Sequence, residues 1–218
     1  MEDSSHMARC ALNPMTMDGG KYDFKPAKKQ KTIAIIGGGI GGMEGARVAT
    51  MRGHKVTIYE KSDHLGGVFV PAAAPSFKEK DKQLLAWYNR QMKNMGIEIK
   101  FNTEITDITK LGADEIIVAT GSSTRKLRMK GAERCIDAID YLSGKEVGET
   151  VAIVGGGLTG CEIAYDLILK GKKPIIIEAK NDLMAVSGLC LANSSYLRDY
   201  FKYKKKLVPD VMKAYNAL

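Results

Sequence analysis

Three glycines and one glutamate recur, at the same spacing, in two places along a chain of 218 residues. Residues 33–60 read IAIIGGGIGGMEGARVATMRGHKVTIYE, and residues 151–178 read VAIVGGGLTGCEIAYDLILKGKKPIIIE. Gly37, Gly39 and Gly42 make a G-x-G-x-x-G turn closed by Glu60; Gly155, Gly157 and Gly160 make another closed by Glu178. In both copies the acid lies 23 positions after the first glycine (60−37 and 178−155). The chemistry open to such a set is the grip of a diphosphate. The first glycine allows a tight turn from strand to helix. The second lets a pyrophosphate reach the backbone, and the third lets helix and strand pack closely. The phosphates then face unpaired N–H groups at the positive end of a helix. The acid stands where it can accept hydrogen bonds from a ribose 2′-OH, and it would repel a 2′-phosphate.

These residues need a βαβ frame, and the flanking sequence supplies one. The unbroken apolar run at 32–36 reads as a buried parallel strand. A helix over about 41–52 stops at Gly53, and 55–60 is a second strand. Leu65-Gly66-Gly67 and the stretch from Pro71 to Pro75 read as irregular. Leu84, Leu85, Tyr88, Met92 and Met95 give 77–95 a helical period, with Gly96 as its cap and with Trp87 and Tyr88 as core. Strands follow at 97–101 and 115–119, then a short helix near 137–143, the second βαβ unit, and a further helix over 190–204.

This alternation predicts an α/β fold of tandem Rossmann-like units with parallel sheets. The expected organisation is a tail or linker over 1–31, an FAD-binding or ADP-binding domain over 32–145, and a partial NAD(H)-binding domain over 146–218. Residues 206–218 contain Pro209 and read without a third strand, so the second unit is expected to be incomplete and the chain to be a truncated form of a longer protein. Two dinucleotide sites in one chain imply a flavin in one and a nicotinamide in the other, and Glu178 favours NADH over NADPH.

Net charge is +8, from 33 basic and 25 acidic residues. The excess gathers at Lys25, Lys28, Lys29 and Lys31 and again at Lys202, Lys204, Lys205 and Lys206. Neither cluster carries a nucleic-acid motif, and both read as solvated surface. No apolar run is long enough to span a bilayer and no secretory signal is visible, so the expected compartment is the cytoplasm. Cys10, Cys135, Cys161 and Cys190 form no C-x-x-C pair, which leaves zinc ribbons and dithiol motifs unsupported. Cys161 reads as a small apolar residue at the second turn. His6, His54 and His64 stand at no ligand spacing and read as exposed.

Further motifs carry a resemblance. Glu60-Lys61 followed by Leu65-Gly66-Gly67, and Ala119-Thr120-Gly121 after a strand, resemble flavoproteins of the class with two dinucleotide-binding domains. Arg9-Cys10-Ala11-Leu12-Asn13-Pro14 resembles the R-C-x-x-N-P segment of old-yellow-enzyme-like NADH:flavin oxidoreductases, the group of 2-enoate reductases, 2,4-dienoyl-CoA reductase and trimethylamine dehydrogenase. Residues 72–78 and 183–205 look like the bacterial enoate-reductase branch, and the resemblance covers roughly residues 8–205. It implies FAD or ADP contacts at Gly37, Gly39, Gly42, Glu60, Lys61, Gly67 and Gly121, and NADH contacts at Gly155, Gly157, Gly160 and Glu178.

In that family a TIM barrel holds FMN and substrate, and a four-iron, four-sulfur cluster links it to the FAD domain. Cys10 matches the fourth cluster ligand. Departures from the pattern are informative. Residues 1–218 carry no barrel pattern, so no FMN site is expected within them. The other three cluster cysteines are absent, so Cys10 is expected as a thiol and no metal site is expected. No Gly-Asp dipeptide, which the family places near the flavin's ribityl chain, occurs in the sequence, leaving FAD or only its ADP half as the ligand. Disulfide reductases of the same fold place C-x-x-x-x-C after the paired glycines; Val68-Phe69-Val70 stand there instead, which excludes that reaction. No catalytic side chain is identified, as suits an enzyme whose cofactors carry the chemistry.

The resemblance therefore implies the FAD/NADH module of an NADH-dependent flavin oxidoreductase, passing electrons to an iron–sulfur and FMN part outside this chain. Two alternatives stay open: a non-catalytic ADP-binding or scaffolding fragment that docks on a separate barrel subunit, and a degenerate fragment that does not fold alone. Oligomeric state is not legible.

Overall fold

The computed structural model describes residues 10, 13, 15–17, 19–205 and 212–214. The chain divides into two compact units, one spanning Asp18–Glu133 and the other running on from Arg134.

In the first unit, β1 (Thr32–Ile36) leads through a glycine turn into α1 (Ile40–Met51) and on to β2 (Lys55–Tyr59). The short α2 (Phe69–Ala72) and the longer α3 (Glu79–Asn94) precede β3 (Glu98–Lys100) and β4 (Glu115–Val118). The four strands form one parallel sheet in the order β3-β2-β1-β4. Being central, β1 needs apolar residues on both faces, and Ile33, Ala34, Ile35 and Ile36 are all buried. The helix α1 turns Gly42, Met43, Ala46 and Ala49 inward, a spacing of one face, and its small residues let it lie close on the sheet. Tyr88 and Met92 close the core from α3, which ends at Gly96 with φ +62°, the conformation of a helix-terminating glycine.

Three details differ from the sequence expectations. The stretch from 65 to 75 is not wholly irregular, because Pro71 falls within a single helical turn, where a missing N–H costs little. Trp87 is not core: it stays 36% exposed while Tyr88 is 8% exposed. The reason is Arg47, which Glu44 holds with bonds of 2.7 and 2.8 Å. Its guanidinium stands 5.6 Å from the Trp87 ring centre and 5.8 Å from that of Phe24. The stack draws part of the expected linker onto the first unit. His54 is half-buried, because its Nδ1 accepts from the Lys31 N–H at 3.2 Å.

The second unit opens with α4 (Ala138–Leu142), followed by β5 (Thr150–Val154), α5 (Leu158–Leu169) and β6 (Lys173–Glu178), then α6 (Leu191–Lys205) and β7 (Met212–Ala214). Its parallel sheet has the order β5-β6-β7. A third strand is therefore present where none was expected. A proline restricts only itself and the residue before it, which leaves 212–214 free to extend, and β7 pairs with β6 from Ile176↔Met212 to Glu178↔Ala214. Pro209 itself and residues 1–9 of the expected tail lie outside the described residues. Cys161, Ala164, Ile176, Leu183, Met184, Leu197 and Phe201 form the core. Asp166, only 1% exposed, accepts from Tyr141 Oη and pairs with Lys170 Nζ, both at 2.6 Å, which ties α4 to α5. No helix among the described residues is long and apolar enough to cross a membrane.

Arg47→Ala should lower the unfolding free energy by about 1–2 kcal/mol, since it removes two ring contacts and a half-buried ion pair together. Urea denaturation measures this, and a loss below about 0.5 kcal/mol would show that the stack does not hold the segment.

Candidate functional site

The glycines of each turn divide by what requires them. Gly37 has φ +104°, and a Cβ there would lie 2.4 Å from the Ala119 carbonyl oxygen. A Cβ on Gly42 would lie 1.9 Å from the Gly37 carbonyl oxygen. Both are glycine because the fold leaves no alternative. Gly39 is different. Its φ is −70°, open to any residue, and a Cβ there would meet nothing within 4 Å. It caps α1 with no side-chain hydrogen bond, and the first turn carries no acid. Ser, Asp or Asn would serve a helix better at that position. The second turn repeats the pattern. Gly155 has φ +109°, a Cβ on Gly160 would lie 2.0 Å from Gly155 O, and Gly157 caps α5 at φ −70° with open space around it. Gly39 and Gly157 thus leave their helices without a side-chain cap and keep room beside them, a combination that fits an anion.

The acids sit where the spacing placed them. Gly38 N–H donates to Glu60 Oε2 at 2.6 Å, and Ser62 gives Oε1 its N–H at 2.8 Å and its Oγ–H at 2.7 Å. Gly156 N–H donates to Glu178 Oε2 at 2.6 Å, and Lys180 N–H to Oε1 at 2.8 Å. Burial pushes the Glu60 carboxyl up, but the bonds from Ser62 and Gly38 outweigh it and hold it below its ordinary 4.5. The Lys180 N–H chiefly, with those of Gly156 and Ala179, holds Glu178 below the same value against a smaller burial effect. Cys161 is fully buried, and burial pushes its thiol up to about 12, so it packs as an apolar residue.

Around the first turn the structure gathers Gly37, Gly39, Gly42, Glu60 and Gly67. Gly66 N–H donates to Gly38 O at 2.9 Å, and a Cβ on Gly67 would lie 3.5 Å from Gly39 Cα. Ala119 N–H donates to Ile36 O at 2.8 Å, bringing the A-T-G stretch against Gly37. Gly121, at φ +71°, stands two residues further on, and Lys61 is exposed next to Glu60 in sequence. Around the second turn lie Gly155, Gly157, Gly160 and Glu178. Cys10 is exposed, and among the described residues no group of three or more His, Cys, Asp or Glu could hold a metal ion.

One part of the repeat escaped the sequence reading. The offset from Gly37 to Gly155, 118 positions, also carries Leu65 to Leu183 and Gly66 to Met184. Met184 N–H donates to Gly156 O at 2.7 Å, as Gly66 does to Gly38. Leu183 Cδ2 would meet a Cβ on Gly156 at 2.6 Å, as Leu65 Cδ2 would meet one on Gly38 at 2.5 Å. Continuing the alignment past the acids would have found these residues.

A glycine turn at a helix N-terminus with an acid closing the second strand, present twice, defines a tandem Rossmann-like fold. Residues 32–205 match the model of the pyridine nucleotide-disulphide oxidoreductase family, and the chain belongs to that family. It is 46% identical over 200 residues to a cinnamate reductase of Clostridium sporogenes, covering 90% of this chain and 30% of that protein. It is 38% identical over 185 residues to an NADH oxidase of Thermoanaerobacter brockii, covering 80% of this chain and 28% of that one. A 2-naphthoyl-CoA reductase complex superposes with TM-score 0.80 at 28% identity, over 95% of this chain and 31% of that chain. Histamine dehydrogenase from Rhizobium sp. 4-9 shares the fold, with TM-score 0.72 at 19% identity over 95% and 32% of the two chains. The chain spans about 30% of the length of these two curated relatives.

Because the folded Glu60 carboxyl lies below its ordinary 4.5, the stability linked to its ionisation is complete above that value and is lost as pH falls through the lowered one. Wild type should exceed Glu60→Gln in unfolding free energy by about 2 kcal/mol near neutral pH, and the margin should shrink below about pH 4.5. Urea titrations across a pH series would contradict this if the margin stayed constant into acid.

Proposed function

We propose that the chain is the FAD-binding and NADH-binding module of an NADH-dependent flavin oxidoreductase, with Gly37, Gly39, Gly42, Glu60, Lys61, Gly67 and Gly121 on the flavin side and Gly155, Gly157, Gly160 and Glu178 on the nicotinamide side. The observation that carries this reading is the open, uncapped Gly39 and Gly157, each beside an acid already held by backbone N–H groups. When bound, FAD would supply the ring that accepts a hydride and NADH would supply the hydride. The chain's own work is placement. The helix N-termini receive the diphosphates, and Glu60 and Glu178 take the ribose hydroxyls. Glu178 rejects a 2′-phosphate by like charge, which favours NADH. The names cinnamate reductase and NADH oxidase support an oxidoreductase that draws on NADH, with an unsaturated acid as the substrate class of the whole assembly. Electrons would pass to an iron–sulfur and FMN-bearing barrel outside these residues, in the cytoplasm. An ADP-binding scaffold for such a barrel is the alternative reading.

Purified chain mixed with FAD and NADH under nitrogen should retain FAD on a desalting column and bleach it faster than NADH bleaches FAD alone. Gly39→Ala should unfold within about 0.5 kcal/mol of wild type yet lose FAD at least about tenfold in affinity, because the methyl meets only the ligand. Failure to retain FAD while ADP still binds in equilibrium dialysis would favour the scaffold. Undiminished FAD binding by Gly39→Ala would refute the cradle.

A further inference from the structure

The two copies part in charge at the loop that follows each acid. In the first, Ser62 gives Glu60 both an N–H and a hydroxyl. In the second, the offset of 118 positions puts Lys180 in the place of Ser62 and Asp182 in the place of His64. Lys180 gives Glu178 its backbone N–H at 2.8 Å, while its ammonium donates to Ala185 O at 2.9 Å. Arg198, on α6, pairs with Asp182, and Lys202 follows one turn further along that helix. Arg198 chiefly holds the Asp182 carboxyl below its ordinary 3.8, so both partners are charged at neutral pH.

This loop is fastened to the second glycine turn. Asp182 Oδ1 accepts from Leu183 N–H at 2.8 Å, Leu183 Cδ2 would meet a Cβ on Gly156 at 2.6 Å, and Met184 N–H donates to Gly156 O at 2.7 Å. Cys161 Sγ, 3.4 Å from the same Gly156 O, lies within the fields of Arg198, Glu178 and Asp182. The pair therefore stands beside the turn and beside the acid that closes it. Its carboxylate side chain is 62% exposed and its guanidinium side chain 31%, and a pair so open to water adds little to folding. Two cations, Lys180 and Arg198, thus stand by the loop after Glu178 and offset its charge, so Glu178 alone is a weak barrier to a 2′-phosphate.

We infer that Asp182 is a specificity-determining positioning residue of the second nucleotide site: it occupies the guanidinium of Arg198, which would otherwise pair with a phosphate on the ribose 2′ oxygen. Arginine meets phosphate with parallel N–H donors, and a carboxylate already on that fork withholds them. A ribose that carries only hydroxyls asks nothing of Arg198. Rejection of NADPH is then shared by two acids, Glu178 through like charge and Asp182 through the cation it keeps engaged, a penalty aimed at the wrong ligand. The inference rests on reading the second turn as a nicotinamide-dinucleotide site.

The test titrates the 15N-labelled full chain with NADH and with NADPH and reads the amides of Gly157 and Lys180, which belong to the second turn. Wild type should bind NADPH at least about tenfold more weakly than NADH. Asp182→Ala should lower the ratio of the two dissociation constants at least about tenfold, and adding Arg198→Met to it should restore the ratio. Asp182→Glu, which keeps the pair, should hold the wild-type ratio. A loop merely loosened by Asp182→Ala would weaken both ligands and leave the ratio unchanged, and that result in a chain that binds NADH would overturn the role of Asp182 alone. So would a ratio that stays low in the double variant, or a wild type that binds both dinucleotides equally. No shift at Gly157 with either dinucleotide would instead overturn the nicotinamide reading, and this inference with it.

Discussion

One hydrogen bond organises each half of the chain. Gly38 is buried just past β1, and a buried N–H without a partner costs about 1–3 kcal/mol. Glu60 meets it at 2.6 Å from the end of the next strand, and Glu178 does the same for Gly156. The bond ties the glycine turn to the second strand and fixes the carboxylate before any nucleotide arrives. The fold therefore requires the acid by itself, and the proposed ribose contact would be a second use of it. Preorganisation of this kind removes the cost of ordering the acid on binding.

The two copies share that bond but not its surroundings. Glu60 is buried at 6% exposure, since Leu65 and the paired glycines pack over it and Gly67 lies against Gly39. Glu178 is half-buried, and Leu183-Met184 fill the place of Leu65-Gly66. Met184 holds a left-handed φ of +52° there, a conformation a long side chain rarely adopts. Its burial at 3% exposure in the second core explains how that is sustained. The same backbone frame therefore carries a covered acid in one unit and a more accessible one in the other.

Much of this was legible in the sequence, because glycine and apolar runs report backbone geometry directly. The turns at Gly37 and Gly155, the strands they leave and the acids that close them follow from spacing alone. What was not legible depended on contacts between distant segments. Trp87 has the period of a core residue, but Arg47, held by Glu44, keeps it at the surface. The third strand of the second sheet is only three residues long, too short for a pattern, and is defined by its pairing with β6. The continuation of the repeat at Leu183 was hidden by Met184 standing where the first copy has glycine.

Gly38 and Gly156 give their N–H groups to the acids, so the proposed contact with a diphosphate falls to the N–H groups of Gly39–Gly41 and of the equivalent stretch from Gly157. Titrating the 15N-labelled chain with ADP and following each amide resonance tests it most directly. Saturable shifts should concentrate at those two turns and at Ser62 and Lys180, whose N–H groups share the acids. Saturable shifts elsewhere with the turns unmoved, or none at all in a folded chain, would contradict it.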